Sequence, residues 1–146
     1  MEARFDHEKL DVYRLLLELV SWISELIEEM KKDARGQTQE VRDHLHRAGL
    51  SALFNTAEGN GKRRRRIRAK FFDDARGSAA ECAACLDALV AMGSCSRDRV
   101  EKGKTMLFRV VSMLTKLVER FDVDRETEGK GMAQTDQERR GDGLAS

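Results

Sequence analysis

The sequence predicts an all-α fold, an antiparallel up-and-down four-helix bundle, and three observations support that prediction. The 146-residue chain contains no proline, so only glycines and polar clusters interrupt its helical sequence. Apolar residues recur at helical spacing in successive segments of about 20 to 27 residues. Short turns join these segments, and helices joined by short turns pack as antiparallel neighbours. A chain of this length forms one domain around one core.

The first predicted helix covers about residues 8 to 33 and has a broad apolar arc. A stripe and the flank beside it form the arc, which consists of Leu16, Val20, Ile23, Ile27 and Met30 together with Leu15, Leu19, Trp22 and Leu26. Such an arc is wider than an ordinary core stripe and therefore indicates a contact beyond the monomer's own core. A polar turn around Gly36 ends this helix.

The second predicted helix covers about residues 38 to 58, with Thr38 as a candidate N-cap. Its seam consists of Val41, Leu45, Ala48, Ala52 and Asn55, and Gly59-Asn60-Gly61 follows its end. The third helix starts in the basic run that follows, and its seam consists of Phe71, Ala75, Ser78, Cys82, Cys85, Leu89 and Met92. The fourth covers residues 97 to 121, with Leu107, Val110, Leu114, Leu117 and Phe121 facing the core.

The helical pattern stops at residue 122, which divides the chain into a bundle of residues 1–122 and a C-terminal tail of residues 123–146. The tail is polar, rich in glycine and almost devoid of large apolar residues. This composition predicts a disordered segment.

The charge of the chain is concentrated at one place. The formal net charge is only +1, but residues 61–76 contain 8 basic and 2 acidic residues. We call residues 62–70 the basic segment; its cations are Lys62, Arg63, Arg64, Arg65, Arg66, Arg68 and Lys70. Unpaired N–H groups make a helix start favourable for anions, and arginine pairs bidentately with phosphate oxygens. The basic segment therefore predicts an anionic partner, most simply nucleic acid, although a solvated basic loop beside Asp73 and Asp74 is the alternative.

Residues with catalytic or metal-binding chemistry do not form a recognisable set. His44 and His46 are two apart, so on a helix they point in different directions. Cys82 and Cys85 have a metal-like spacing, but both belong to an apolar seam and no second ligand pair accompanies them. We therefore expect core cysteines, no metal, no cofactor and no enzymatic activity.

The compartment expected from the sequence is the cytoplasm. The first ten residues are charged rather than apolar, unlike a signal peptide, and no apolar run approaches the length of a membrane span. The odd number of cysteines, three, is not that of a secreted disulfide framework.

Two stretches carry a family resemblance. Ser51-x-x-x-Asn55-x-Ala57-Glu58-Gly59, followed by Phe72-x-x-Ala75-Arg76-Gly77-Ser78-x-x-Glu81, resembles the motif pair of the 23S ribosomal RNA intervening-sequence proteins, whose relatives include the accessory proteins of diversity-generating retroelements. The resemblance covers most of residues 5–121, and Arg47-Ala48 also fits it. It implies a homopentameric barrel of four-helix bundles without known catalysis, and in the retroelement relatives a basic surface is taken to engage nucleic acid and a reverse transcriptase.

The motif positions are occupied here by Asn55, Glu58, Gly59, Arg76, Gly77 and Ser78. Asn55 lies on a seam, where a buried amide needs partners, and a role in fixing helix register is expected for it opposite Ser78. The chain also departs from the family pattern. Where relatives commonly carry a serine followed three residues later by an acidic residue, this chain has Arg64 and Ile67, which removes a capping box and strengthens the positive field. His44 occupies a position where glutamine is expected.

The function predicted from the sequence is nucleic-acid binding, to RNA before DNA, by a non-enzymatic oligomer that serves as an accessory factor to a reverse transcriptase. One alternative is a protein–protein adaptor whose arginines dock an acidic partner such as a polymerase. Another is a purely structural oligomer whose charge maintains solubility. Because few aromatic residues adjoin the basic segment in sequence, little base preference is expected.

Overall fold

The structure, a computed structural model, describes residues 2–32 and 37–122. It contains a short 3₁₀ turn, Asp6–Lys9, followed by four helices, α1 (Asp11–Lys31), α2 (Gln39–Gly61), α3 (Arg65–Ala91) and α4 (Arg97–Phe121). The two described ranges are all-α and contain no strand, which confirms the predicted fold class. The predicted tail of residues 123–146 and the turn at Gly36 lie outside them.

The helix boundaries differ from the prediction at two places. Leu10 has an extended conformation (φ −73°, ψ 127°), so residues 6–9 form a separate turn before α1. α2 continues through Gly59-Asn60-Gly61 to Gly61 instead of ending before it. Gly59 is needed for a close approach to α3, because a Cβ there would lie 2.9 Å from the Cβ of Phe71. The predicted bounds of α4 are confirmed, and Ser96 caps it by accepting a hydrogen bond of 3.1 Å from the backbone N–H of Arg99.

Most of the broad apolar arc of α1 is buried within the chain itself. Leu16, Leu19 and Leu26 are fully covered, and Trp22 is only 6 % exposed. Trp22 packs against α4 at Gly103, where an added Cβ would lie 2.3 Å from the indole ring. Packing within the chain accounts for most of the arc, while Val20 and Ile27 are only partly buried. The expected contact beyond the monomer's core stays a prediction.

The α3 seam is largely as predicted, with two corrections. Phe72 is the fully buried aromatic residue, whereas Phe71 is only half-buried, and Met92 at the far end is exposed. Cys82 and Cys85 are buried in the core, as predicted. Burial raises the pKa of the Cys82 thiol to about 12, so this thiol is chemically quiet.

α3 packs between α2 and α4, and α1 completes the bundle by packing against α2 and α4. Because successive helices alternate in direction, the end of α2 and the start of α3 lie at the same end of the bundle as the start of α1 and the end of α4. The helices of the described ranges include none that is long and apolar enough to cross a membrane.

Candidate nucleic-acid interface

The basic segment lies at that shared end of the bundle. Residues 62–64 connect α2 to α3, and residues 65–70 form the first turns of α3. Contacts from this segment reach the last turn of α4 and, through Asn60, the N-terminal 3₁₀ turn. The structure therefore separates the seven predicted cations into those whose side chains contact other parts of the chain and those whose side chains do not.

Arg65 and Arg68 belong to the first group, because both contact Phe121 at the end of α4. Their guanidinium carbons lie 5.1 and 4.4 Å from the centre of the Phe121 ring, within the range of a cation–π interaction. Arg65 Nη2 also donates a hydrogen bond of 2.7 Å to the carbonyl oxygen of Arg120. This carbonyl belongs to the last turn of α4, where intrahelical donors are lacking. The two arginines therefore fasten α3 to α4.

Lys62 is partly engaged. Its ammonium nitrogen lies 3.6 Å from a carboxylate oxygen of Glu58, one turn earlier on α2, and 5.2 Å from the centre of the Phe71 ring. Its charge is partly neutralised by Glu58, so it is less available to an external anion than its neighbours.

The outward cations are the remaining four. Arg63, Arg64, Arg66 and Lys70 are exposed, and none of their side chains has a hydrogen bond, ion pair or ring contact with another described residue. Residues 66 and 70 are four apart, so they lie on one face of α3, while residues 65 and 68 share the face toward α4. This division could not be derived from the sequence, where all seven cations are equivalent.

Among the described residues, no side chain caps the first N–H groups of α3. Arg64 is the N-cap, its side chain makes no capping hydrogen bond, and the first turn contains no acidic residue. Ile67 stands at the third helical position, as the missing capping box predicted. A helix start of this kind, surrounded by arginines, is electrostatically favourable for phosphate.

A groove of about 470 Å³ runs between α3 and α4 beside the outward cations. Arg66, Lys70 and Arg76 supply its positive side chains, and Ile67 and Val118 supply apolar surface. Arg76 forms an ion pair with Asp73 and donates a hydrogen bond of 3.3 Å to Thr115 Oγ1 on α4. Arg76 thus holds the two helices together at the groove, and its charge is already compensated.

A serine pair in the motif stretches joins α2 to α3. Asn55 Nδ2 donates to the carbonyl oxygen of Ser51 at 2.9 Å, and the hydroxyl groups of Ser51 and Ser78 lie 2.8 Å apart. Asn55 therefore reaches Ser78 through Ser51 rather than directly. Gly77 is exposed with nothing within 4 Å of an added Cβ, so packing within the chain does not require glycine there.

Two residues of this end of the bundle were missed by the sequence analysis. Asn60 was assigned to a turn, but it is 8 % exposed and hydrogen-bonded to both Asp6 and Arg68. Phe121 was predicted only as a core residue, although two arginines of the basic segment contact its ring. A polar residue between two glycines gives no sequence signal for such contacts.

The comparisons with known proteins agree with the motif pair. A search of curated proteins finds no match to this chain. Residues 8–116, which include α1, α2, α3 and most of α4, match the family described as 23S rRNA-intervening sequence protein. Since the match extends over well more than half of the sequence and over both motif stretches, the chain belongs to the 23S rRNA-intervening sequence protein family.

Proposed function

We propose that this protein binds nucleic acid, with RNA the first candidate, as a non-enzymatic accessory factor. The observation that carries the proposal is the set of outward cations, Arg63, Arg64, Arg66 and Lys70, at a helix start without a cap. Without an internal partner, each of them can pair with phosphate and lose no contact of the folded chain. The planar guanidinium group of arginine can donate two parallel hydrogen bonds to the oxygens of one phosphate.

The salt dependence of binding is the quantity that tests this arrangement. Each phosphate neutralised on a single strand contributes about 0.7 to the slope of log affinity against log salt. Four outward cations per chain therefore correspond to a slope of about 3, against about 5 if all seven residues of the basic segment bound phosphate. The smaller value follows from the internal contacts of Arg65, Arg68 and Lys62.

The decisive variant replaces Arg63, Arg64 and Arg66 together with alanine. A matched control replaces Arg97, Lys102 and Arg109, three exposed cations on α4 away from this end, and changes the net charge equally. We expect the first variant to lower the salt slope by about 2 and to lose affinity equally for unrelated RNA sequences. We expect the control to keep the slope of the parent.

Parental affinity and slope in the Arg63/Arg64/Arg66 variant would contradict the proposal. The arginines would then be assigned to the docking of an acidic partner protein, such as the reverse transcriptase suggested by the resemblance, and a pull-down with that partner would lose signal in the same variant.

We also propose that the protein assembles as an oligomer, with five copies as the number that the resemblance implies. Most of the α1 arc is buried within the chain, so the exposed apolar side chains of Phe54 and Met92 are the surface that we propose for the subunit contact. Light scattering should report a mass several times the 16.6 kDa of the monomer. A monomer at micromolar concentration would refute this assembly and leave the RNA-binding test unaffected.

A further inference from the structure

An aromatic stack lies on the N-terminal turn, at the same end of the bundle as the basic segment. The rings of Phe5 and His7 are nearly parallel, with centroids 5.7 Å apart and an interplanar angle of 15°. His7 in turn makes an edge-to-face contact with Tyr13, with ring centroids 4.7 Å apart and an interplanar angle of 69°. Phe5 ends the stack and remains 64 % exposed. An exposed ring supported from behind can accept another flat ring.

Hydrogen bonds hold Phe5 in place. The carboxylate of Glu8 accepts a hydrogen bond of 2.9 Å from the backbone N–H of Phe5 and another from the backbone N–H of Arg4. These backbone hydrogen bonds lower the pKa of Glu8 below its ordinary value, because they stabilise the charged form of the carboxylate. Arg14 Nε on α1 donates to the carbonyl oxygen of Glu8 at 2.9 Å and ties the turn to the bundle. The ring is thus positioned before any ligand arrives, which reduces the entropy lost on binding.

Two hydrogen bonds connect this turn to the basic segment. Asn60 Nδ2 donates to a carboxylate oxygen of Asp6 at 2.9 Å, and Arg68 Nη2 donates to Asn60 Oδ1 at 3.1 Å. Arg63 follows Asn60 by three residues, so its Cα lies within about 11 Å of the Cα of Asn60. Phe5 precedes Asp6 directly. The exposed ring and the first outward arginines therefore lie at the same end of the bundle.

We infer that Phe5 is a stacking platform for an unpaired base, and that the nucleic acid bound here is single-stranded. This inference rests on the proposed function. A strand whose phosphates contact Arg63 and Arg64 can lay a nearby base on the Phe5 ring, in the combination of cationic track and aromatic platform typical of single-strand binding. The bases of a duplex are stacked on one another and cannot reach the ring. The platform accepts any base, because every base offers a flat face.

The test compares Phe5→Ala with Phe5→Tyr, which keeps an aromatic face, and with Phe108→Ala as the matched control. Phe108 is 75 % exposed and lies midway along α4, away from the basic segment. Affinities are measured for a single-stranded RNA, a strand of equal length with abasic residues, and a duplex. Thermal unfolding followed by circular dichroism confirms that each variant is folded.

We expect Phe5→Ala to lose about 5- to 150-fold in affinity for the single-stranded RNA, the range for one stacked base. Its affinity for the abasic strand and the duplex should equal that of the parent. Phe5→Tyr and Phe108→Ala should bind the single strand as the parent does. This pattern assigns the loss to stacking rather than to a disturbed turn.

Two results overturn the platform. One is a Phe5→Ala variant that binds the single strand as tightly as the parent, and the other is an equal loss for the base-containing and abasic strands. In both cases the Arg63/Arg64/Arg66 variant still tests the proposed function separately, because its effect depends on phosphate alone. A parent protein that binds none of the three nucleic acids refutes the platform and the proposed function together.

Discussion

The start of α3 lacks a side-chain cap, and substitution of Arg64 by serine should supply one. Arg64 occupies the N-cap with an extended backbone (φ −79°, ψ 127°), and its side chain makes no capping hydrogen bond. A serine hydroxyl in this conformation accepts a hydrogen bond from the second or third N–H group of the helix. The substitution also removes a cation from the positive end of the helix dipole.

The expected gain can be divided between these two effects. A serine N-cap stabilises a protein by about 1 kcal/mol relative to alanine, and removal of the cation contributes a further 0.3 kcal/mol or more, up to about 1 kcal/mol. Arg64→Ser should therefore raise the free energy of unfolding by about 1 to 2 kcal/mol. Arg64→Ala, which removes the charge and adds no cap, should give only the smaller part. The difference between the two variants, about 1 kcal/mol or about 4 °C in Tm, measures the cap.

The companion substitution Ile67→Glu would complete a capping box, but the structure reduces the benefit. Ile67 is 37 % exposed and lines the groove between α3 and α4, so most of its side chain is covered. Since full burial of an isoleucine is worth about 1.5 to 3 kcal/mol, the lost contact is about 1 to 2 kcal/mol and offsets the gain from the box. The double variant should therefore be no more stable than Arg64→Ser alone.

The assay is urea unfolding of the three variants and the parent, followed by circular dichroism, with the slope against urea checked for constancy. Equal stability of Arg64→Ser and Arg64→Ala would refute the assignment of residue 64 as the N-cap. A double variant clearly more stable than Arg64→Ser would show that Ile67 contributes little packing.

Three further predictions follow from the packing and the pKa directions. Gly103→Ala should lower the free energy of unfolding, because overpacking against the Trp22 indole costs about 1 to 3 kcal/mol beyond the helix propensity gained. Gly77→Ala, at an exposed position, should raise the free energy of unfolding by about 1 kcal/mol. Equal urea midpoints of the two variants would contradict this prediction. Arg99 holds both carboxylate oxygens of Glu29, at 2.7 and 2.8 Å, and this hydrogen bonding lowers the pKa of Glu29, so Arg99→Ala should raise that pKa in a carboxyl NMR titration. A carboxyl group whose pKa is lowered by folding stabilises the folded state at pH values above the pKa of the unfolded state. The stability difference between the parent and Arg99→Ala should therefore shrink as the pH falls through the lowered pKa of Glu29. Cys82, with its thiol pKa raised to about 12 by burial, should be alkylated only at the rate of unfolding, and rapid native labelling at pH 8 would disprove its burial.

The fold could be predicted because it depends on local pattern. Apolar spacing, glycine-rich breaks and the absence of proline act over a few residues each, and they gave four helices and the bounds of α4. The choice between Phe71 and Phe72 as the buried ring could not be made, since adjacent helical residues differ by only about 100° and both lie near the seam. That choice depends on the close approach of α2 at Gly59.

The candidate site was predicted only in its composition. The sequence placed seven cations in the basic segment but could not divide them, because the division depends on Phe121, more than fifty residues further along the chain. The same limit applies to Phe5, which is distant from the basic segment in sequence and is brought to it by the contacts of Asn60. Long-range contacts of this kind leave no periodic signal in a single sequence.

The contact between α3 and α4 explains how a helix can begin with five cations around its first turn and remain folded. The start of α3 carries partial positive charge and the end of α4 partial negative charge, so Arg65 is placed where the carbonyl oxygen of Arg120 offsets it. Arg68, one turn later on the same face, is held over Phe121. While these two contact the end of α4, Arg66 and Lys70 lie on the neighbouring face of α3 and line the groove between the two helices. Neither side chain has an ion pair with another described residue, although the carboxylates of Asp73 and Asp122 line the same groove. In the proposed function, a bound phosphate offsets the repulsion between the two cations.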